Sequence, residues 1–141
     1  MVTVVPDTTV LVSAAISSRG NPYRLLRAWQ EGELSLVLCP HLLDELNEVL
    51  HRDRLRRFIS RGDASAFVEY LSRVGDVRAD PVPVTGLVPE DPDDDFLFAL
   101  GREAGVEYVL SSDQHLIRLS SPRPPVITPA QLVADLERKM R

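Results

Sequence analysis

Four acidic groups are spaced along the chain in a way that suits metal-assisted chemistry: Asp7, Glu45, the run Asp91-Pro92-Asp93-Asp94-Asp95, and Asp113. Hard divalent cations such as Mg2+ and Mn2+ take oxygen ligands, and Mg2+ is commonly held by one or two carboxylates together with waters and a substrate phosphate. A cation held this way lowers the pKa of a bound water and offsets charge on a phosphate, which is the chemistry of phosphodiester hydrolysis. Each acid also has a simpler reading. Asp7 and Asp113 follow short apolar runs, where an Asp commonly caps a helix or makes an Asx-turn. One Asp explains the cap of the helix holding Phe96–Leu100, but four crowded together repel one another, and a divalent cation would relieve that repulsion.

The elements that must position these acids follow from periodicity and punctuation. Val2–Val5 and Leu34–Leu38 read as buried strands, Glu107–Leu110 as a third strand and Val126–Ile127 as a short last one. Helices are expected over Thr8–Ile16, from Pro22 to about Gln30, over Pro40–Leu50, Arg52–Ser60, Asp63–Val74 and Asp95–Ala104, and from Pro129 to about Lys139. Gly62 and Gly75 read as punctuation and Gly105 as a helix C-cap. Four prolines between Asp80 and Pro92 make that stretch a loop, with room for an edge strand at Val82–Val84. Strands alternating with helices, without hairpin signals, predict a three-layer α/β/α sandwich around a mostly parallel sheet. Ligands of such sheets bind outside the carboxyl ends of the strands, where Asp7 and Asp113 fall. On the helix Pro40–Leu50, Leu42, Leu43, Leu46, Val49 and Leu50 form one apolar face, and Glu45 lies roughly 40° beyond Val49. Glu45 is therefore the acid of that helix expected to point towards the sheet.

Composition narrows the function classes. A chain of 141 residues, 44% of them hydrophobic, fits a single domain over 1–141 with a core that needs no staples. The lone Cys39 excludes an internal disulfide framework and a multi-Cys zinc site, and is expected to be a small core residue. Lys139 is the single lysine among sixteen basic residues and sits in a terminal segment, which argues against lysine-based catalysis. No apolar run reaches membrane length and no secretory leader is visible, so a cytoplasmic location is expected. The net charge of −5 argues against a uniform nucleic-acid clamp, but five acids lie within Glu90–Asp95 alone, and the remainder of the chain is neutral.

The motifs Asp7-Thr8-Thr9-Val10-Leu11-Val12-Ser13-Ala14, Leu43-Asp44-Glu45-Leu46, Asp91-Pro92-Asp93-Asp94-Asp95 and Ser111-Ser112-Asp113 together resemble the PIN-domain ribonucleases. The closest likeness is to the prokaryotic toxin components of toxin–antitoxin pairs, the VapC-like group. The resemblance covers nearly the whole chain and rests on the order and spacing of four degenerate motifs. It implies a Rossmann-like fold, an acidic pocket, Mg2+ or Mn2+ as cofactor, and endonucleolytic cleavage of an RNA substrate. It also implies a cognate antitoxin protein as partner, and a homodimer is open to it. Carried over residue by residue, the acids would be Asp7, Glu45, one of Asp94 or Asp95, and Asp113, with Thr9 and Ser111 in support. Thr9 stands where the family often has Asn, and His115 where it often has a further acid; His115 is read as a turn residue before Leu116.

The stretch His51–Arg61 holds Arg52, Arg54, Arg56, Arg57 and Arg61 against a single acid, Asp53. Its simple reading is a solvated helix face with Leu55, Phe58 and Ile59 packing inward. Its functional reading is a track for RNA phosphates, or the surface on which an antitoxin wraps. Tyr23 and Trp29 are expected to be packing residues. Two further function classes compete with the nuclease. One is a catalytically inactive PIN-like module that binds RNA or protein. The other is a haloacid-dehalogenase-type phosphatase, which wants an Asp where Thr9 stands and a catalytic lysine; Thr9 and the lone, terminal Lys139 count against it.

Overall fold

The computed structural model describes residues 1–82 and 95–139. Five strands, β1 (Val2–Pro6), β2 (Leu34–Leu38), β3 (Asp76–Val77), β4 (Tyr108–Leu110) and β5 (Val126–Ile127), form one sheet in the order β3-β2-β1-β4-β5. Every pairing is parallel. The helices are α1 (Thr8–Ile16), α2 (Asn21–Gln30), α3 (Pro40–Leu50), α4 (Arg61–Val74), α5 (Asp95–Ala104), α6 (Gln114–Ile117) and α7 (Pro129–Lys139). No helix among the described residues is long and apolar enough to cross a membrane.

Side-chain alternation along the strands divides the core in two. Val2, Val4, Leu34, Leu36 and Leu110 point to one face, where Leu25 and Ala28 of α2 and Leu132 and Leu136 of α7 cover them. Val5, Val37 and Val109 point to the other, against Leu42, Leu46 and Leu50 of α3, Leu71 of α4 and Leu97, Phe98 and Leu100 of α5. The strands are buried on both sides, which explains why they read as continuous apolar runs rather than alternating ones. Cys39 belongs to the second core, and burial pushes its thiol up to about 11, so it stays protonated and unreactive at neutral pH.

The expected helices at Thr8–Ile16, Pro40–Leu50 and Asp95–Ala104 appear with those bounds. The expected helix over Arg52–Ser60 does not form. His51 closes α3, Arg52 is extended, and only Asp53–Leu55 make a 3-10 turn. Ser60 then accepts a hydrogen bond from the Asp63 N–H at 3.0 Å and starts α4 at Arg61, which places Gly62 inside that helix rather than at a break. With the helix broken, Leu55 and Phe58 no longer share a face: Leu55 is buried and Phe58 is exposed, contrary to the expected inward packing of both. Asp76–Val77, directly after Gly75, forms an edge strand beside β2; of the expected edge strand Val82–Val84, Val82 lies in no strand and the other two residues lie outside the described residues. Gly75 is needed there because a Cβ would sit 2.7 Å from the Leu71 carbonyl and 2.8 Å from Leu38 Cδ1. Gly105 ends α5 with a positive φ of 69°, as its C-cap reading requires.

Candidate functional site

The strand order places a topological switch between β1 and β4. From β1 the chain moves outward on one side to β2 and β3, then returns to lay β4 and β5 on the other. In open parallel sheets a crevice opens at the carboxyl ends of the two strands flanking such a switch. The register Pro6↔Leu110 makes Asp7 and Ser111 the first residues beyond the paired ends, and the Asp7 N–H donates to the Leu110 carbonyl at 2.9 Å.

Asp7 is 7% exposed and both its oxygens are used. Oδ1 accepts from the Val10 N–H at 2.8 Å, which caps α1, so the simple reading of Asp7 is correct as far as it goes. Oδ2 accepts from the hydroxyl of Ser111, a residue with no exposed surface. Ser111 Oγ in turn accepts from the Asp113 N–H at 3.0 Å, and Asp113 Oδ1 accepts from the His115 N–H at 2.9 Å, capping the short helix α6 that had not been expected. One serine hydroxyl thus links the Asp7 carboxylate to the Asp113 backbone N–H. Burial raises the Asp7 carboxyl above its ordinary value; the Ser111 and Val10 hydrogen bonds hold it down, and the charges of Asp113 and Glu45 push it up again. These like charges bring three acids from β1, α3 and the end of β4 into one electrostatic neighbourhood.

The remaining acid comes with α5. This helix packs on β1 and β4 and leads into β4, so its first turn lies at the edge where the parallel strands end. Asp95 is in that turn and is 3% exposed; Asp94 lies outside the described residues. His41, one turn before Glu45 on α3, packs its ring edge-to-face on Phe96 at 4.4 Å between centroids, which ties the starts of α3 and α5 together. Glu45 itself is half-buried, at the border of the apolar face as expected, and Thr9 is exposed in the first turn of α1. Among the described residues no three His, Cys, Asp or Glu side chains converge closely enough to hold a metal ion. The donor chemistry, carboxylate oxygens that repel one another, fits a hard divalent cation held by one or two of them.

The arginines divide into three sets. Arg52 pairs with Glu48 at 3.1 Å and Arg61 with Asp53 at 3.6 Å. Arg56 turns inward and donates to the Leu50 carbonyl at the end of α3. Arg54 and Arg57 are exposed, and Arg57 lies over the Phe58 ring at 4.9 Å.

A family model for the PIN domain matches residues 3–115. The chain belongs to the PIN-domain family. Solved structures of similar fold include PAE2754 from Pyrobaculum aerophilum, at 14% identity and a TM-score of 0.62 over 97% of this chain and 90% of that one. A chain of VapBC2 from Rickettsia felis, solved bound to a DNA fragment from their promoter, matches at 12% identity and a TM-score of 0.62 over 89% and 98%. The PIN domain of human SMG5 matches at 12% identity and a TM-score of 0.50 over 99% of each chain. No curated protein matches by sequence. At these identities the neighbours establish the PIN fold, while membership rests on the family match across most of the chain.

The Ser111 bridge of this PIN domain makes a direct prediction. Ser111→Ala removes the hydrogen bond that lowers the Asp7 pKa, so any metal-dependent activity should fall about 10- to 100-fold, the usual cost of losing a group that orients a ligand. The acid limb of its pH–rate profile should move to higher pH, because without the Ser111 hydrogen bond Asp7 holds its proton to higher pH than in the parent. An unshifted acid limb would show that Ser111 does not tune Asp7.

Proposed function

We propose that this PIN domain is a metal-dependent endoribonuclease that hydrolyses RNA phosphodiester bonds, and that it is the toxin of a toxin–antitoxin pair. The observation that carries the reading is the Asp7–Ser111–Asp113 chain at the β1/β4 switch point, with the charge of Glu45 acting on the same carboxyl. Asp7, Asp113 and Asp95 or Asp94 would hold Mg2+ or Mn2+, and Glu45 completes the acidic wall. When bound, such a cation supplies an activated water and offsets phosphate charge. Ser111 fixes the rotamer of Asp7 and keeps its carboxyl closer to the ionised form that a cation needs. Burial of Asp7 and Asp95 strengthens every electrostatic interaction made there. The likeness to VapBC2 supports an antitoxin protein as partner, and the exposed arginines beyond α3 supply the positive surface that RNA or such a partner would meet.

The test is cleavage of RNA by purified protein. Activity should appear with Mn2+ or Mg2+, vanish with EDTA, and return when the cation is restored in excess. Cleavage that persists unchanged in EDTA would defeat the metal-dependent reading. The competing reading, an inactive PIN module that binds RNA or protein, is motivated by Thr9 and His115, which stand where the family often has Asn and a further acid. It predicts no heat on titration of the protein with Mn2+ and no cleavage under any metal condition.

A further inference from the structure

Phe58 occupies a position that its chemistry does not explain. It is 51% exposed, and it is the one aromatic side chain among the large hydrophobic residues that the described part of the chain leaves exposed. It belongs to the turn after α3, and its neighbours there are charged or polar except for the buried Leu55 and half-buried Ile59. Arg57 lies over its ring with the guanidinium carbon 4.9 Å from the centroid, a cation–π arrangement that fixes the ring and places positive charge against it. Arg54 and Arg57 have no carboxylate partner among the described residues, whereas Arg52 and Arg61 do. The excess positive charge of the turn is thus concentrated on two arginines that precede the exposed ring, Arg57 directly and Arg54 four residues before it.

A fixed aromatic ring among unpaired guanidinium groups is the combination that recognises single-stranded nucleic acid: the ring stacks a base, and the arginines meet the phosphates. We infer that Phe58 is the stacking platform for an unpaired base of a single-stranded RNA, with Arg54 and Arg57 holding the adjacent backbone. The inference rests on the reading of this chain as one that acts on RNA, and it names the class of RNA. A base in a duplex is stacked on its neighbours and offers no free face, so the platform selects unpaired segments. A protein partner on the same ring would be the competing occupant, but Arg57 over the ring and the unpaired Arg54 before it match phosphates.

The test measures binding of the full chain to fluorescent oligoribonucleotides in EDTA, where metal-dependent cleavage is silent. Phe58→Ala should weaken binding of an unpaired oligonucleotide about tenfold, with less than twofold change for a blunt duplex of the same length. Phe58→Trp should bind at least as tightly as the parent. A 2-aminopurine base in the oligonucleotide should be quenched by the parent and by Phe58→Trp but not by Phe58→Ala. Arg57→Ala should lower the salt dependence of binding by about one unit of slope, and Phe58→Ala should leave that slope unchanged. Equal affinity of Phe58→Ala and parent for the unpaired strand overturns the inference. So does an equal loss on single strand and duplex, or a parent that binds no single-stranded RNA. A Phe58-dependent RNA binder that fails to cleave with Mn2+ would sink the nuclease reading and leave this one standing.

Discussion

Asp7→Asn should abolish metal-dependent RNA cleavage, by more than about 100-fold, while leaving the fold intact. Removing a group that only orients a metal ligand commonly costs 10- to 100-fold, so neutralising the most buried strand-end acid should cost more. The fold should survive because Asn caps helices about as well as Asp, and its side-chain oxygen can keep the bond to the Val10 N–H. Stability should move the opposite way from activity. The Asp7 pKa is raised in the folded protein, first by burial and then, with smaller weight, by the charges of Asp113 and Glu45. A carboxyl with a raised folded pKa favours folding fully only below its ordinary value of 3.8, and loses that contribution as pH rises through the raised value. In EDTA at neutral pH the parent therefore carries an unfavourable charge that Asp7→Asn lacks, and the variant should melt higher. The difference should shrink as pH falls towards 3.8. Adding Mn2+ should raise the melting temperature of the parent more than that of the variant. Thermal melts across pH, with and without Mn2+, check all three signs. A variant that melts lower than the parent in EDTA at neutral pH would contradict the electrostatic account, and one that cleaves like the parent would remove Asp7 from the site.

Phe98→Ala should cause the largest loss of stability. Phe98 is 2% exposed and sits on α5 within the core that Val5, Val109 and Leu42 also build. Truncating a buried Phe to Ala costs about 3–5 kcal/mol, from lost transfer energy and the cavity left behind. For a domain of this size that is roughly a 10–15 °C drop in melting temperature. The effect reaches the site because α5 carries Asp95 one turn before Phe98, and α5 is held on β1 and β4 through this packing. Cleavage by Phe98→Ala should therefore fall even at temperatures where the variant stays folded. Phe98→Leu keeps most of the volume and should recover much of both losses. A drop below about 1 kcal/mol in chemical denaturation would mean that the core around α5 collapses onto the cavity.

The legible parts of this chain were those whose local signals agree. α3 and α5 combine an apolar stripe of helical period with a proline or glycine at one end, α1 is an apolar run opened by its Asp7 cap, β2 is a short continuous apolar run, and all four form where expected. The misread stretch, Arg52–Ser60, carries a helical pattern in Leu55, Phe58 and Ile59 but also a stronger capping signal at Ser60-Arg61-Gly62-Asp63, and the cap prevails. The two-residue strand β3 and the four-residue helix α6 are too short for periodicity to register. β3 exists because β2 has an edge to pair, and α6 because Asp113 caps it. Asp7 and Asp113 could be placed at strand ends from sequence because an acid directly after a short apolar run has little other place to go. Glu45 could be placed from its angle on α3. His41 gave no signal, since a single His has no pattern until Phe96 is brought against it.

Residue types and order alone therefore determined the α/β class, most of the elements, and the set of acids from which a metal-dependent site would be drawn. Strand order was beyond their reach, because it depends on which apolar faces find one another across long separations. That order puts the switch between β1 and β4, and with it Asp7 against Ser111, residues 104 apart in the chain. Only the tertiary structure could show that the Ser111 hydroxyl bridges the Asp7 carboxylate and the Asp113 backbone N–H, and that burial is the largest influence on the Asp7 carboxyl. It likewise decided that Arg56 turns inward while Phe58 faces water, since both follow from where a helix breaks rather than from the composition of the segment.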